Sequence, residues 1–577
     1  MKPWRGIALL PAIVALMVAA PGGETGTLLT RAERTGFTET SRHDDVRQVL
    51  EALSARPEVH LTTFGTSEEG RALPLAVVAA PKVRDAAAAR AMSRLRVLVL
   101  ANIHGGEVEG KEAALILARR LAGGDLRQLL NRLVVLVAPL YNADGNERIS
   151  VDHRPEQYGP IGGVGTRENA RGLDLNRDFT KLEAAESRAL ARLLADWDPH
   201  LVIDLHTTNG SYHGYHLTWA PPLAVNVDPR IADATRDLLE STRRALANRG
   251  WRTHSYGNFT VDGALDRERV RVDDGAGPPA WRTFDARPRF VTNGIGLRNR
   301  LAILSEAYSY LGFERRVRVT EAFVETILAL AARRHAELVD LMKKVDADTA
   351  TAGARGTLGP LGTRGRLAVG EDGASRILVG EVEHQPHPVT GRPMTVMKEG
   401  SARPVLMRDY DRFAPVDPVP APRAYIVPAG PALSPLVERL EELLARHGIR
   451  TARLPAARAV QVEAVVPDTV ARTERVFQGH REVRLTGAAR RTRTLQAPQG
   501  SLIVPMGQPL ARLAFHLLEP ISDDGVVTWN LVDEWLRDGA EVPIYRVLQP
   551  IATAGNAEDT EAAEARKVAE VTASRRD

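Results

Sequence analysis

The sequence contains no cysteine among its 577 residues. This absence excludes disulfide bonds, thiolate zinc ligands, a cysteine nucleophile and a lipid-modified N-terminal cysteine. A chain of this size without disulfides must be stabilised by its hydrophobic cores alone.

Long apolar segments are also scarce, because only the run from Ile7 to Ala20 stands out. Lys2 and Arg5 precede this run and small residues end it, an order typical of a secretory signal peptide over residues 1–20. The run is too short for a comfortable membrane span. We therefore expect an exported protein, periplasmic or secreted, with no stable membrane span after signal cleavage.

Neither sign of charge is in large excess, since the net charge is +4 and the Lys and Arg residues are scattered. This argues against a nucleic-acid partner, which calls for a focused basic surface.

A chain of this length predicts two to four domains. The expected divisions are an α/β domain (35–345), a linker (346–362), a small β module (363–412), a proline-rich linker (413–423), a second α/β domain (424–550) and a charged tail (551–577).

Short apolar segments alternate with helical patterns between about residues 40 and 345. Leu95–Leu100, Leu133–Ala138, Leu201–Leu205 and Arg300–Leu304 have the composition of buried strands. Such alternation predicts an α/β fold with a mixed, largely parallel sheet and helices on both faces. Ligands in folds of this kind bind beyond the carboxyl ends of the strands.

Two of these predicted strands are followed by histidine. His104 and Glu107 lie on a glycine loop directly after the first strand, and His206 follows Leu201–Leu205. Two imidazoles and a carboxylate at neighbouring strand ends are candidate zinc ligands that leave a coordination position open. Asp204, two residues before His206, is a candidate to orient its imidazole.

The same glycine loop imitates a phosphate-binding loop. Residues 105–111 match its glycine and lysine spacing, but Glu112 stands where that motif requires Ser or Thr. Glutamates inside the loop would also repel phosphate, so a nucleotide site is rejected.

A second polar segment extends from Arg167 to Phe179. The arginines near its two ends, Arg167 and Arg177, suit separate roles. One guanidinium can stabilise an oxyanion, and the other can bind a carboxylate through its planar pair of donors.

Together, His104-x-x-Glu107, the DLNRD segment at 174–178, His206 and Glu306 resemble the zinc carboxypeptidase family (carboxypeptidase A-like metallopeptidases), over about residues 40–340. The chain looks similar to an exported bacterial branch with C-terminal extensions. The resemblance makes 35–345 the expected catalytic domain and implies one zinc ion there, bound by His104, Glu107 and His206.

The resemblance also implies roles for the remaining polar residues. Glu306, at the end of an apolar strand, is expected to be the general base and acid. Arg167 is expected to polarise the scissile carbonyl, and Asn176 and Arg177 to bind the terminal carboxylate of the substrate. The substrate-capping tyrosine has three candidates, Tyr256, Tyr308 and Tyr310, of which Tyr256 is preferred.

The predicted function is hydrolysis of C-terminal peptide bonds by metal-activated water, with a peptide or small amide that carries a free carboxylate as substrate. Two alternatives stay open: a zinc amide hydrolase acting on cell-wall peptides or acyl-amino acids, and a non-catalytic binding protein that retains the metal. The C-terminal region faintly resembles class I amidotransferase-like folds. Because it has neither a cysteine nor a G-x-S-x-G elbow, a binding or docking role is expected for it.

Overall fold

The structure is a computed structural model that describes residues 28–208, 210–261, 264–265 and 279–550. The predicted signal peptide (1–20) and charged tail (551–577) lie outside the described residues, so both stay predictions. Within the described ranges, no helix has the length and apolar character needed to cross a bilayer.

An eight-stranded mixed sheet forms the centre of the N-terminal half, with strand order β1-β2-β4-β3-β5-β11-β6-β7. Its central strands β4, β3, β5 and β11 run parallel to one another, which confirms the predicted mixed sheet. The strands, numbered along the whole chain, are β1 (Val59–Thr66), β2 (Ala72–Val78), β3 (Leu95–Ala101), β4 (Leu133–Ala138), β5 (Leu201–Thr208), β6 (Leu217–Ala220), β7 (Thr253–Ser255) and β11 (Leu301–Tyr308).

Helices pack against this sheet, for example α4 against β3 and β5, and α9 against β11. Every residue of β3 and β5 is buried, as expected for strands covered on both faces. The helices of this half are α1 (Arg31–Arg34), α2 (His43–Ser54), α3 (Ala86–Ala91), α4 (Glu109–Leu121), α5 (Ala143–Glu147), α6 (Ala185–Trp197), α7 (Pro229–Ala247), α8 (Val291–Gly296), α9 (Phe313–Arg333) and α10 (His335–Arg355), with short 3-10 turns at Arg127–Asn131 and Leu175–Arg177.

The linker predicted at 346–362 is wrong over its first ten residues, because α10 continues through them to Arg355. Alanine favours helix, and tertiary packing holds this part of the helix in place. A Cβ at Gly353 would lie 1.9 Å from the carbonyl oxygen of Met506, so the helix packs closely on the C-terminal region. The helix ends where Gly356 adopts a left-handed φ of 69°.

The region predicted as a small β module shares a sheet with the N-terminal half. A five-stranded sheet has the order β14-β17-β10-β8-β9, so β17 pairs directly with β10. Its strands are β8 (Asn258–Val261), β9 (Ala264–Leu265), β10 (Ala280–Arg282), β14 (Ala374–Val379) and β17 (Arg403–Tyr410). Three two-stranded pairs complete the region: β12 (Pro360–Leu361) with β19 (Val419–Pro420), β13 (Arg364–Ala368) with β18 (Arg412–Val416), and β15 (Val382–Pro386) with β16 (Pro393–Met397). Since β18 and β19 lie in it, the linker predicted at 413–423 is partly extended strand.

The C-terminal region is β-rich, and its strands pair antiparallel. This is not the parallel order that α/β alternation favours. The six-stranded sheet has the order β21-β26-β20-β27-β22-β25. The elements are β20 (Ala424–Val427), α11 (Ser434–Arg446), β21 (Ala452–Arg453), β22 (Arg458–Val466), β23 (Thr469–Arg472), β24 (Val483–Thr486), β25 (Ala489–Ala497), β26 (Leu502–Pro505), α12 (Ala511–Leu518), a 3-10 turn at Asp533–Trp535, and β27 (Tyr545–Val547).

Candidate active site

The loop that follows β3 holds His104 and Glu107 in a tightly packed turn. A Cβ at Gly105 would lie 2.4 Å from the backbone of Gly145, and one at Gly106 would lie 2.7 Å from the carbonyl oxygen of Gly165. Only glycine fits at these positions. Asn102, in a left-handed conformation (φ 63°), donates its side-chain amide to the carbonyl oxygen of Glu107 at 3.1 Å and so closes the loop.

Sheet register brings His206 and Glu306 to the same place. In the parallel pair β5–β11, His206 stands directly opposite Glu306, and Ala101 at the end of β3 stands opposite Leu205. The three segments that carry the predicted ligands and base therefore end side by side at the carboxyl edge of the sheet, as expected for this fold class.

His104, Glu107 and His206 form a buried cluster whose potential ligand atoms all lie within 4.8 Å of one another. The Nδ1 atoms of both histidines point to the Glu107 carboxylate, at 2.8 Å for His104 and 2.9 Å for His206. Burial alone would raise the pKa of the Glu107 carboxyl, but His104, Arg154 and His206 hold it well below its usual range. A deprotonated carboxylate and two imidazoles fit the donor set of a catalytic zinc site.

Each of these imidazoles also contacts a second carboxylate through its other ring nitrogen, Nε2. The Nε2 atom of His104 lies 3.1 Å from Asp174 Oδ1, and that of His206 lies 3.0 Å from Asp204 Oδ2. An acceptor at Nε2 fixes the ring orientation and leaves Nδ1 free to bind a metal ion. The orienting position predicted for Asp204 is therefore the one that it occupies.

Glu306 is a half-buried carboxyl group that lines the cavity of the same site. Burial, which outweighs the opposing charge of His206, raises its pKa to about 8. A divalent cation on the neighbouring ligands would favour the charged form and lower this pKa again. The carboxyl group is thus placed where its proton affinity responds to the metal ion.

The two predicted arginines occupy different walls of the site. Arg167 donates its Nε–H to Asp174 at 3.0 Å and brings Nη1 to 3.8 Å from Glu107 Oε1. Arg177 lies with its guanidinium 3.9 Å above the ring of Phe290. Its neighbour Asn176 accepts a hydrogen bond from the backbone N–H of Val291 at 3.0 Å.

A cavity of about 220 Å³ connects these groups. Of the three tyrosine candidates, Tyr256 lines this cavity, and burial raises the pKa of its phenol to about 12. Tyr308 and Tyr310 instead pack edge-to-face on each other, both fully buried. The residues that line the cavity are His104, Glu107, Arg167, Asn176, Arg177, Thr207, Thr208, Gly210, Tyr256, Asn258, Phe284, Phe290, Thr292, Leu304 and Glu306.

Two charged residues of the site were missed by the sequence reasoning. Asp174 lies inside the DLNRD segment, yet nothing in that pattern shows that it binds His104. Arg154 donates to Glu107 Oε1 at 2.6 Å from a loop with no recognisable motif. The position of Asp174 two residues before Asn176 could have indicated that it belongs to the site. No feature of the sequence around Arg154 indicates this.

The residues that imitate a phosphate loop have a structural role. The Glu112 carboxylate accepts hydrogen bonds from the backbone N–H of Ser41 at 2.6 Å and from the Thr40 hydroxyl at 2.9 Å. Lys111 is fully buried and binds the Ser41 carbonyl oxygen, and burial lowers its pKa to about 8. Both side chains tie α4 to the N-terminal segment, consistent with the rejection of a nucleotide site.

Comparison with known proteins agrees with this geometry. Residues 46–215, which include His104, Glu107 and His206, match the zinc carboxypeptidase family model (Peptidase_M14). Carboxypeptidase 2 of Trichophyton tonsurans is 24% identical over 565 residues, covering 93% of this chain and 92% of the relative. Carboxypeptidase D of Mus musculus is 34% identical over 176 residues, covering 26% of this chain and 13% of the relative.

Solved carboxypeptidases give more distant matches. Carboxypeptidase A from Helicoverpa armigera is 16% identical with a TM-score of 0.37, covering 52% of this chain and 75% of that one. A metallo-carboxypeptidase from Burkholderia cenocepacia is 19% identical with a TM-score of 0.34, covering 48% and 66%. The relatives that match along their length are fungal, so the expected bacterial branch is not supported. Residues 46–215 are similar to the zinc carboxypeptidase family, and this match, the carboxypeptidase relatives and the His-Glu-His cluster together support a zinc metallopeptidase.

Proposed function

We propose that this metallopeptidase removes C-terminal residues from peptides, with Glu306 as general base and Asn176 and Arg177 as the site for the terminal carboxylate. One observation carries the proposal: Asn176 and Arg177 line the same cavity as His104, Glu107 and Glu306. A planar guanidinium is the side chain best suited to bind a carboxylate with two hydrogen bonds. The Arg177 guanidinium in this cavity therefore favours a substrate whose C-terminal carboxylate lies next to the scissile bond.

The residues of the site divide the chemical work among them. His104, Glu107 and His206 would hold a zinc ion, which would supply a Lewis acid to activate water and polarise the scissile carbonyl. Glu306 accepts the proton of the attacking water and passes it to the leaving amine nitrogen. The Arg167 guanidinium donates to the carbonyl oxygen as negative charge develops there.

Arg177→Ala is expected to lower kcat/KM for a peptide with a free C-terminus by about 100-fold, since a buried hydrogen bond to a charged group contributes about 2–3 kcal/mol. The loss should appear mainly in KM, because the carboxylate is bound in the ground state as well as the transition state. The measurement is amino-acid release from a peptide and from the same peptide with an amidated C-terminus.

The matched control is Arg171→Ala, whose side chain lies on the same polar segment and is 52% exposed. We expect wild-type kinetics for this variant. Equal cleavage of free and amidated peptides by the wild type would contradict exopeptidase activity, and cleavage of cell-wall amides alone would favour the amide hydrolase.

The cavity walls indicate the side chain that the enzyme accepts. Tyr256, Phe284, Phe290 and Leu304 form the apolar part of a lining that is otherwise mostly polar, and among the described lining residues the carboxylates are Glu107 and Glu306. A substrate side chain that packs on the four apolar residues is disfavoured if it is charged, because burial against them leaves the charge without a partner. We expect peptides that end in Leu or Phe to be cleaved at least about tenfold faster than those ending in Lys or Asp. A panel of peptides differing only in the last residue tests this, and fastest release of Lys would contradict it.

We further propose that the protein is exported. The charged start, the apolar run and the small-residue end of residues 1–20 support this. Cell fractionation with N-terminal sequencing of the mature chain tests it. An intact Met1 in the cytoplasmic fraction would contradict it.

A further inference from the structure

The C-terminal region lies directly against the polar segment that carries Asp174, Asn176 and Arg177. One continuous apolar cluster extends from Val46 in the catalytic half to Ile544 in the C-terminal region. Polar contacts continue in the residues directly after the segment. They join Thr180 to Asp524 (3.1 Å) and to His447 (3.1 Å), Lys181 to the face of Trp529 (3.9 Å), and Glu183 to His480 (2.9 Å).

A hairpin between β23 and β24 places its tip against Asp174, which contacts His104. Phe477 and His480 exchange both backbone hydrogen bonds across a two-residue turn, at 2.8 and 3.0 Å. The turn residues Gln478 and Gly479 both have positive φ, 52° and 81°. This is the geometry of a type I′ turn, which favours Asn or Gly at its first position. Gln478 therefore holds a backbone conformation that its side chain disfavours.

Aromatic and charged contacts hold the two residues beside this turn. The Phe477 ring stacks on Trp529, and the guanidinium of Arg289 from the catalytic half lies 4.3 Å from the centre of Trp529. The other side is held by His480, which contacts Glu183 and Asn530, each at 2.9 Å. The tip is thus fixed between the two halves of the molecule.

From this turn, the Gln478 side chain contacts the polar segment of the active site. Its Oε1 accepts a hydrogen bond from the backbone N–H of Asp174 at 2.9 Å. Asp174 is 6% exposed, and its carboxylate contacts His104 and Arg167 as well as the backbone N–H of Asn176. One side chain of the C-terminal region therefore holds the residue that orients a metal ligand and the arginine proposed for the oxyanion.

We propose that Gln478 is a positioning residue of the active site, through which the C-terminal region holds Asp174 against His104 and Arg167. The role rests on the proposed function for its effect on catalysis, but its effect on the metal site is independent of the substrate. Without the Gln478 acceptor, the buried Asp174 N–H loses its partner, and Asp174 is free to move away from His104.

The test compares three variants of the full chain. Gln478→Gly removes the acceptor and suits the left-handed backbone, so the turn is expected to fold. Gln478→Glu keeps an acceptor oxygen at the same reach. Val476→Ala is the matched control, since Val476 belongs to the same hairpin and is 56% exposed. The readouts are the rate of zinc release to excess EDTA, the melting temperature, and kcat and KM on a peptide.

We expect Gln478→Gly to melt within a few degrees of wild type, to release zinc about tenfold faster and to lose about tenfold in kcat, in line with the loss of an outer contact to a metal site. Gln478→Glu and Val476→Ala should release zinc at the wild-type rate. Wild-type zinc release in the Gly variant would overturn the proposal, as would equally fast release in all three variants. A wild type that binds zinc but cleaves no peptide would reject the proposed function and leave this comparison decisive for Gln478.

Discussion

Replacement of Glu306 with Gln is expected to lower kcat by about 1000-fold while zinc binding stays at the wild-type level. Gln has the shape of Glu but cannot accept the proton of the attacking water. Glu306 is not among the three clustered ligands, so its loss removes a proton acceptor and no metal bond. The measurements are single-turnover peptide cleavage and zinc content by elemental analysis.

The matched control for this substitution is Glu109→Gln. Glu109 is a fully buried glutamate that contacts the Thr207 hydroxyl, but it does not line the cavity. Burial raises the pKa of Glu109 and the Arg316 guanidinium, 3.5 Å away, opposes this shift, so Gln keeps the contact with Thr207 and removes only the ionisable group. We expect activity within a few-fold of wild type. Full activity in Glu306→Gln would remove this residue from the mechanism.

The sequence predicts the metal cluster well because the ligands follow buried strands. Apolar runs of five or six residues predict strands, parallel strands end at one edge, and the residues after them meet there. His206 and Glu306 need only one further condition, a parallel β5–β11 pair, to stand opposite each other. Local pattern and topology together are therefore sufficient for the core of the site.

Contacts over long sequence separations could not be predicted in this way. Gln478 meets Asp174 across 304 positions, and it does so from a turn whose sequence favours Asn or Gly. Arg154 reaches Glu107 from a loop without periodicity. The helix through residues 346–355 was missed because an alanine- and threonine-rich stretch resembles a linker until its packing on Met506 is known. Each of these features is decided by tertiary packing, which overrides local preference.

A graded pair of substitutions on β5 should separate binding of the metal from orientation of its ligand. His206→Ala removes a ligand outright, and we expect less than about one-tenth of the wild-type zinc content and a loss of at least about 1000-fold in kcat/KM. Asp204→Asn keeps an oxygen acceptor for His206 Nε2 but loses the negative charge that favours it. Its zinc affinity is expected to fall by about tenfold, the lower end for an outer-shell partner.

The control for both is His384→Ala, an exposed histidine on β15 far from the cluster in sequence and absent from the cavity lining. Zinc competition with a fluorescent chelator measures affinity for all three variants, and circular dichroism checks that they fold. Addition of excess zinc should restore activity in Asp204→Asn but not in His206→Ala, because only the former retains all three ligands. If His206→Ala kept stoichiometric zinc, the metal would be bound elsewhere and the strand-end site would lose its central ligand. If Asp204→Asn matched His206→Ala, the two residues would act as one unit, and the carboxylate behind the imidazole would be as necessary as the ligand itself.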